Sequence, residues 1–365
     1  MSSLKKVFID GSAGTTGLRI RERLARRPDL EVVVLPDELR KDTEARRQAL
    51  NGADVAFLCL PDAAAVEAVS LVENPNTVVI DTSTAHRTAE GWEYGFPELE
   101  GRRARLRTAK RIANPGCHAS GFVALVEPLV RKGVLRADAE LCATSLTGYS
   151  GGGKKMIAEY EEKLKSSGVE KLKSSEEVVS PSHSSTLRLF NSSSLYFGGR
   201  QYALGQAHKH LPEMAKVCAL AKAPAFLPIV VPHLSGMEVT VPVFRSQLVD
   251  PKTTVADLKG LYAAYYGPGR DAPVTAGAGR DAPATVSAVS QGLVRFVDDP
   301  AAAEGGFLSS AALSGKDALE VSVYGNDERM LLVSRFDNLG KGASGAAIQN
   351  MNVVLGVDET TGLVL

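Results

Sequence analysis

The chain has 365 residues, with 42 lysines and arginines against 42 aspartates and glutamates, and 44% of it is hydrophobic. Zero net charge gives composition no reason to propose nucleic acid or a membrane surface as partner, and no run of about 18 apolar residues stands ready to span a bilayer. The length suggests roughly two domains, and 4 cysteines are too few for a disulfide scaffold, which points to free thiols in a reducing, cytoplasmic setting.

The opening residues run directly into a short apolar strand, Lys6 to Asp10, so no signal or transit peptide is expected. A helix follows from Leu18 to Arg26, a strand from Glu31 to Leu35 and a helix from Lys41 to Asn51. Next come a strand from Val55 to Leu60, a helix from Ala63 to Val72 and a strand from Val78 to Asp81. Alternation of this kind predicts a parallel sheet with helices on both faces, and the unbroken apolar strands suit burial on both sides. Between the first strand and first helix lies Gly11-Ser-Ala-Gly14-Thr15-Thr16-Gly17. Glycines at such a turn let a pyrophosphate approach backbone N–H groups. After the second strand, Asp37, Glu38, Arg40 and Lys41 occupy the place where a dinucleotide ribose is read. An acidic residue there suits NAD and a cation suits the NADP 2′-phosphate; the paired cations favour NADP.

Asn114-Pro-Gly-Cys117 then places one thiol after a turn and at the head of an apolar helical run, Gly121 to Val130. A helix start offers unpaired N–H groups and partial positive charge, which favour thiolate, so Cys117 is the candidate nucleophile with its pKa expected below the usual ~8.5. Cys59, Cys142 and Cys218 read as core thiols. Gly148-Tyr-Ser150-Gly-Gly152-Gly-Lys154 offers further backbone N–H groups to a phosphate or cofactor, without Walker A spacing. Residues 163–194 and 267–285 repeat Lys-Leu-Lys-Ser-Ser and Gly-Arg-Asp-Ala-Pro and read as exposed surface excursions. In Gln206-Ala-His208-Lys209-His210-Leu-Pro-Glu213, two histidines and a glutamate can supply a proton donor or acceptor and its orienting group. Zinc competes for that cluster, but no third ligand of convincing spacing stands near, and no metal is expected. His86, His118, His183 and His233 have no such company. Met237 to Phe244, Gln291 to Val297 and Ala318 to Val323 are extended and predict a second, more antiparallel sheet. Gly345 to Leu355 has helical period and is expected to dock back on an earlier element.

Together these pieces resemble the N-acetyl-gamma-glutamyl-phosphate reductases, in their shorter variety, of the semialdehyde dehydrogenase superfamily. The resemblance rests on Phe8 to Gly17, Asp81-Thr-Ser-Thr-Ala-His-Arg87, Tyr94 to Leu99, Asn114 to Cys117, Gly148 to Lys154, His208 to Glu213 and Asp337 to Gly345, in the family's order. It implies an α/β fold: a Rossmann-like dinucleotide-binding domain from residues 1–116 and 336–365, and an α+β substrate and dimerisation domain from 117–335. It implies NADPH-dependent reduction of an acyl phosphate in arginine biosynthesis, by a homo-oligomer, dimer or tetramer. Cys117 would form a thioester, His210 would act as acid and base, and Glu213 would orient it. Gly11, Gly14, Thr15, Thr16, Gly17, Arg40, Ser83, Gly152 and Asn338 would hold NADP. Arg87 would grip the substrate phosphate, with Asn114, His208 and Lys154 as further substrate contacts. Aspartate-semialdehyde dehydrogenase, a cysteine hydrolase using Cys117 and His210, and a catalytically silent NADP-binding sensor remain the competing readings.

Overall fold

The computed structural model describes residues 4–166, 194–267 and 292–365, so most of the two repetitive stretches, with His183, lies outside the described residues. The first sheet contains β1 (Lys5–Asp10), β2 (Leu30–Val33), β3 (Val55–Leu58), β4 (Val78–Asp81), β5 (Glu93–Tyr94) and β6 (Arg111–Ala113). Its order is β2-β1-β3-β4-β6-β5, and every pairing is parallel. Strands β3 and β4 are buried at every position, which explains why their sequences are continuous apolar runs.

The second sheet contains β7 (Cys142–Gly148), β8 (Arg200–Gln201), β9 (Ala225–Val231), β10 (Met237–Phe244), β11 (Val294–Phe296), β12 (Leu319–Asn326) and β13 (Arg329–Phe336). Its order is β11-β12-β13-β10-β7-β9-β8. The expected antiparallel character holds for its centre, while β7 with β9 and β11 with β12 run parallel. Helix Cys117–Arg131 packs on this sheet through Phe122, Val123, Leu125 and Val126, all fully buried with β10 and β13 side chains in one cluster. Each such side chain contributes roughly 1.5–3 kcal/mol by leaving water.

Helix Gly345–Leu355 returns to the first sheet, as its period suggested. Ala347, Ile348, Met351 and Val353 share a core with Val7, Ile9, Ile20, Ile80 and Ile112. Polar groups fasten it there. Asn350 donates to the Gly95 carbonyl (2.9 Å) and to Asn114 Oδ1 (3.2 Å). Lys341, only 1% exposed, donates to both oxygens of Glu98 at 2.8 Å and lies over the Phe96 ring. No helix among the described residues is long and apolar enough to cross a membrane.

Candidate active site

In the first sheet the strand order reverses around β1, which has β2 on one side and β3 on the other. Open α/β sheets bind ligands outside the carboxyl ends of the strands at such a point. A cavity of ≈ 520 Å³ opens there, lined by Gly14 to Gly17 beyond β1 and by Cys59 to Asp62 beyond β3, a size usual for a small-molecule site. Gly11 has φ +83°, and a Cβ there would sit 2.3 Å from the Cys59 carbonyl oxygen. Only glycine permits this turn. Gly14 precedes helix Thr15–Leu24 without a side-chain cap, and the helix's first turn carries no acidic residue. Its N–H groups and dipole are therefore free for an anion, and the cradle fits a dinucleotide pyrophosphate.

The opposite wall holds Cys117, which begins helix Cys117–Arg131 after Gly116. A Cβ on Gly116 would lie 2.3 Å from both His210 Nε2 and Arg87 Nη1. Glycine before the thiol thus lets an imidazole and a guanidinium press against one backbone atom. Arg87 is held by three bonds, donating to the carbonyls of Asn114 (3.0 Å) and Thr82 (3.0 Å) and to Glu213 Oε2 (3.2 Å). Glu213, in the first turn of helix Leu211–Val217, also accepts from the Tyr94 hydroxyl (2.8 Å) and the Gly116 N–H (2.8 Å). No hydrogen bond joins Glu213 to His210. The glutamate braces Arg87 and the turn before Cys117, whereas His210 Nδ1 is buried without a partner.

Burial pushes the Cys117 thiol up, against the downward pull of Arg87, the His118 N–H and Lys209. The expected depression of its pKa is overturned because desolvation outweighs the helix start. Burial likewise pushes His210 well below its ordinary value, reinforced by Arg87, His118, His208 and Lys209. At rest these shifts keep the thiol protonated and the imidazole neutral. His208 is lowered to about 4 by burial, then Lys209 and Arg87, and its Nδ1 accepts from the His210 N–H (3.2 Å).

Gly14, Thr15, Thr16, Gly17, Ser83, Arg87, Asn114, Cys117, Gly152, His208, His210 and Asn338 all line the one cavity. Besides Arg87 and His208, three of these side chains already have protein partners. Ser83 Oγ donates to Asp81 (2.7 Å), and Asn114 donates to the Ala343 carbonyl (3.1 Å). Asn338 donates to Ser150 Oγ (3.0 Å) and accepts from the Gly236 N–H (3.0 Å). Arg40 and Lys154 are not among the lining residues. Arg40 is half-exposed and paired with Asp37 at 3.3 Å, and Lys154 is exposed. Sequence reasoning missed Tyr202 and Lys209, which line the cavity, and it set His118 aside. His118 also lines the cavity and packs beside His208 and His210 at 5.5 Å. Its place next to Cys117 was the available signal. His86 too has company, bonding Asp81 at 2.6 Å and stacking on Trp92.

A family model for the semialdehyde dehydrogenase NAD-binding domain matches residues 36–108. An N-acetyl-gamma-glutamyl-phosphate reductase 2 of Nostoc is 40% identical over 98% of this chain and 99% of its own. N-acetyl-gamma-glutamyl-phosphate reductases of Mesorhizobium japonicum and Burkholderia ambifaria are 39% and 38% identical, over 96% and 97% of this chain and 99% and 98% of theirs. Among solved structures, aspartate semialdehyde dehydrogenase II of Vibrio cholerae, complexed with ASA, aligns with a TM-score of 0.64 at 16% identity, over 97% of this chain and 99% of that one. The Francisella tularensis aspartate semialdehyde dehydrogenase gives 0.66 at 14% identity, over 96% and 100%. At that identity these two share the fold alone.

Proposed function

This chain belongs to the N-acetyl-gamma-glutamyl-phosphate reductase family, and from that premise we propose that it reduces N-acetyl-L-glutamyl 5-phosphate to the 5-semialdehyde, releasing phosphate, with NADPH as reductant. The family makes it an oxidoreductase of arginine biosynthesis with a nicotinamide dinucleotide cofactor. The observation that carries the mechanism is the convergence of Arg87 and His210 on Gly116, immediately before Cys117, in the cavity that also holds the glycine turn.

Arg87 faces the leaving phosphate, its guanidinium preset by its carbonyl partners and Glu213. The Cys117 proton passes to His210 Nε2, the sulfur attacks the acyl carbon, and the carbon–oxygen bond to phosphate breaks, leaving a thioester on Cys117. The dinucleotide, when bound along Gly14 to Gly17, Ser83, Gly152 and Asn338, supplies the hydride that reduces that carbon. Protonated His210 then gives its proton to the new oxygen. As the thiohemiacetal collapses, neutral His210 takes the oxygen's proton back, the carbon–sulfur electron pair returns to Cys117, and the aldehyde is freed.

The core that Val7, Ile9 and Ile80 share with Ile348 and Met351 supports dividing the chain into residues 1–116 with 336–365 for the dinucleotide, and 117–335 for catalysis, with Tyr94, Phe96, Leu99 and Phe336 reaching across into the second core. Four free cysteines suit a cytoplasmic setting. The half-buried row Leu146, Leu227, Ile229 and Val231 on one face of the second sheet supports a dimer or tetramer. The test is the reverse assay, semialdehyde plus phosphate and NADP, followed by absorbance. Wild-type protein should form NADPH, and Cys117→Ser should lose turnover by roughly 10⁴-fold or more while binding dinucleotide as before. No turnover with the semialdehyde, or an active serine variant, would overturn the reading.

A further inference from the structure

Beside the nucleophile runs a chain of hydrogen bonds that the mechanism above leaves unused. Ser145, on β7, lies 2.7 Å from His118 Nδ1, and His118 Nε2 lies 2.7 Å from the Tyr202 hydroxyl. Ser145 is fully buried and His118 is 3% exposed. Tyr202 stands at the other end, where it lines the cavity together with Cys117.

The direction of these bonds follows from which end is buried. Burial, with His208 and Lys209, lowers His118 to about 3, so its ring is neutral and one nitrogen donates while the other accepts. If Nδ1 carried the proton, the Ser145 hydroxyl hydrogen would face a dry interior, since the His118 ring is that hydroxyl's one partner among the described residues. A buried unpaired donor is costly. If instead Ser145 O–H donates to Nδ1, then Nε2–H donates to Tyr202 Oη, and the Tyr202 O–H is left free. That free hydrogen belongs to Tyr202, which lines the cavity together with Cys117.

We propose that Ser145, His118 and Tyr202 form a one-way hydrogen-bond relay that presents the Tyr202 O–H as donor to the acyl oxygen of a substrate bonded to Cys117. The relay deepens the reductase reading and rests on it. Tyr202 acts as a catalytic residue, because charge gathers on that oxygen when sulfur or hydride adds to the carbon, and a preset donor stabilises it. Ser145 and His118 are positioning residues that fix the ring's tautomer. Burial, then Cys117, pushes the Tyr202 hydroxyl up, so it stays protonated as the donor role requires. The Asn114 amide is already directed at the Ala343 carbonyl.

The experiment measures two rates on Tyr202→Phe and on Ser145→Ala: reverse turnover with the semialdehyde, and alkylation of Cys117 by iodoacetamide, which forms no oxyanion. Tyr202→Phe should lower kcat roughly 10²-fold, the usual cost of one such donor. Its KM for the semialdehyde and its alkylation rate should stay within about twofold of wild type. Ser145→Ala removes the hydroxyl that holds Nδ1 unprotonated, so Nδ1 is unpaired in either tautomer and the ring's preference weakens; kcat should fall several-fold, less than in Tyr202→Phe, again with normal alkylation. Unchanged kcat in either variant overturns the relay, as does a matching fall in alkylation, which would mean a general disturbance of the thiol. A wild-type protein that turns nothing over, yet alkylates at Cys117, sinks the reductase reading itself.

Discussion

On one wall of the cavity, the groups suited to a pyrophosphate come from a single short stretch, Gly14 to Gly17, and they are backbone groups. On the other wall, Arg87, Cys117 and His210 come from separate segments, and the side chains behind them meet across 126 residues for Arg87 and Glu213 and 119 for Tyr94 and Glu213. The first wall needs one turn to form correctly. The second needs two sheets and a helix to be in register. Its electrostatics differ as well. Burial keeps His118, His208 and His210 neutral, so Arg87 and Lys209 are the cations lining the cavity.

The sharpest way to break this division is at His210. His210→Asn should cut turnover by roughly 10²–10⁴ with dinucleotide binding unchanged, and His208→Asn should cost much less. Comparing the two pH–rate profiles decides it. Loss of the histidine limb in the His208 variant alone would swap the roles. Gly11→Ala attacks the other wall. Its left-handed backbone penalises a side chain by about 1–2 kcal/mol, before the Cys59 clash. Dinucleotide affinity should therefore fall about tenfold or more, while iodoacetamide still labels Cys117; calorimetric titration reads the first.

Acid should expose the histidine wall through stability. All three imidazoles have folded pKa values below the unfolded value of ~6.5. Between the two values the unfolded chain binds protons that the folded chain does not. Stability is thus full above about pH 6.5 and declines as pH falls, down to about 4 for His208 and about 3 for His118. Each contributes up to about 1.4 kcal/mol per pH unit. Melting curves from pH 7 to 4 should show the decline, and His118→Gln should flatten it. The smallest effect is expected at Arg40 and Lys41. Their double alanine variant should weaken NADPH more than NADH, and equal loss would assign the pair to a solvated surface, where the Arg40–Asp37 contact already places one of them.

The same division governs what could be read from the chain. β4, β10 and helix Gly345–Leu355 fall at their expected bounds, and the glycine turn sits where spacing placed it, because each depends on local pattern. β9 escaped notice because Pro228 interrupts it, yet the strand pairs β7 throughout. β13 was also unanticipated, with Met330, Leu332 and Val333 to Phe336 buried beside exposed Arg329 and Leu331. Glu213 was placed one turn from His210 by sequence, but its partners are Arg87, Tyr94 and Gly116, which no spacing rule brings near. His118 looked solitary for the same reason: Ser145 and Tyr202 reach it only once β7 and the segment before His208 are in place.

The returning helix has a bearing on how the chain is made. The first sheet is encoded within residues 5–113, but Ala347, Ile348, Met351 and Val353 fill its core. A growing polypeptide on the ribosome would hold that sheet with one face only partly filled until residues 345–355 had been made. Contacts of such long sequence separation slow folding, and exposed apolar surface invites association in the interval. Losing the last twenty or so residues would therefore harm the beginning of the molecule more than its middle.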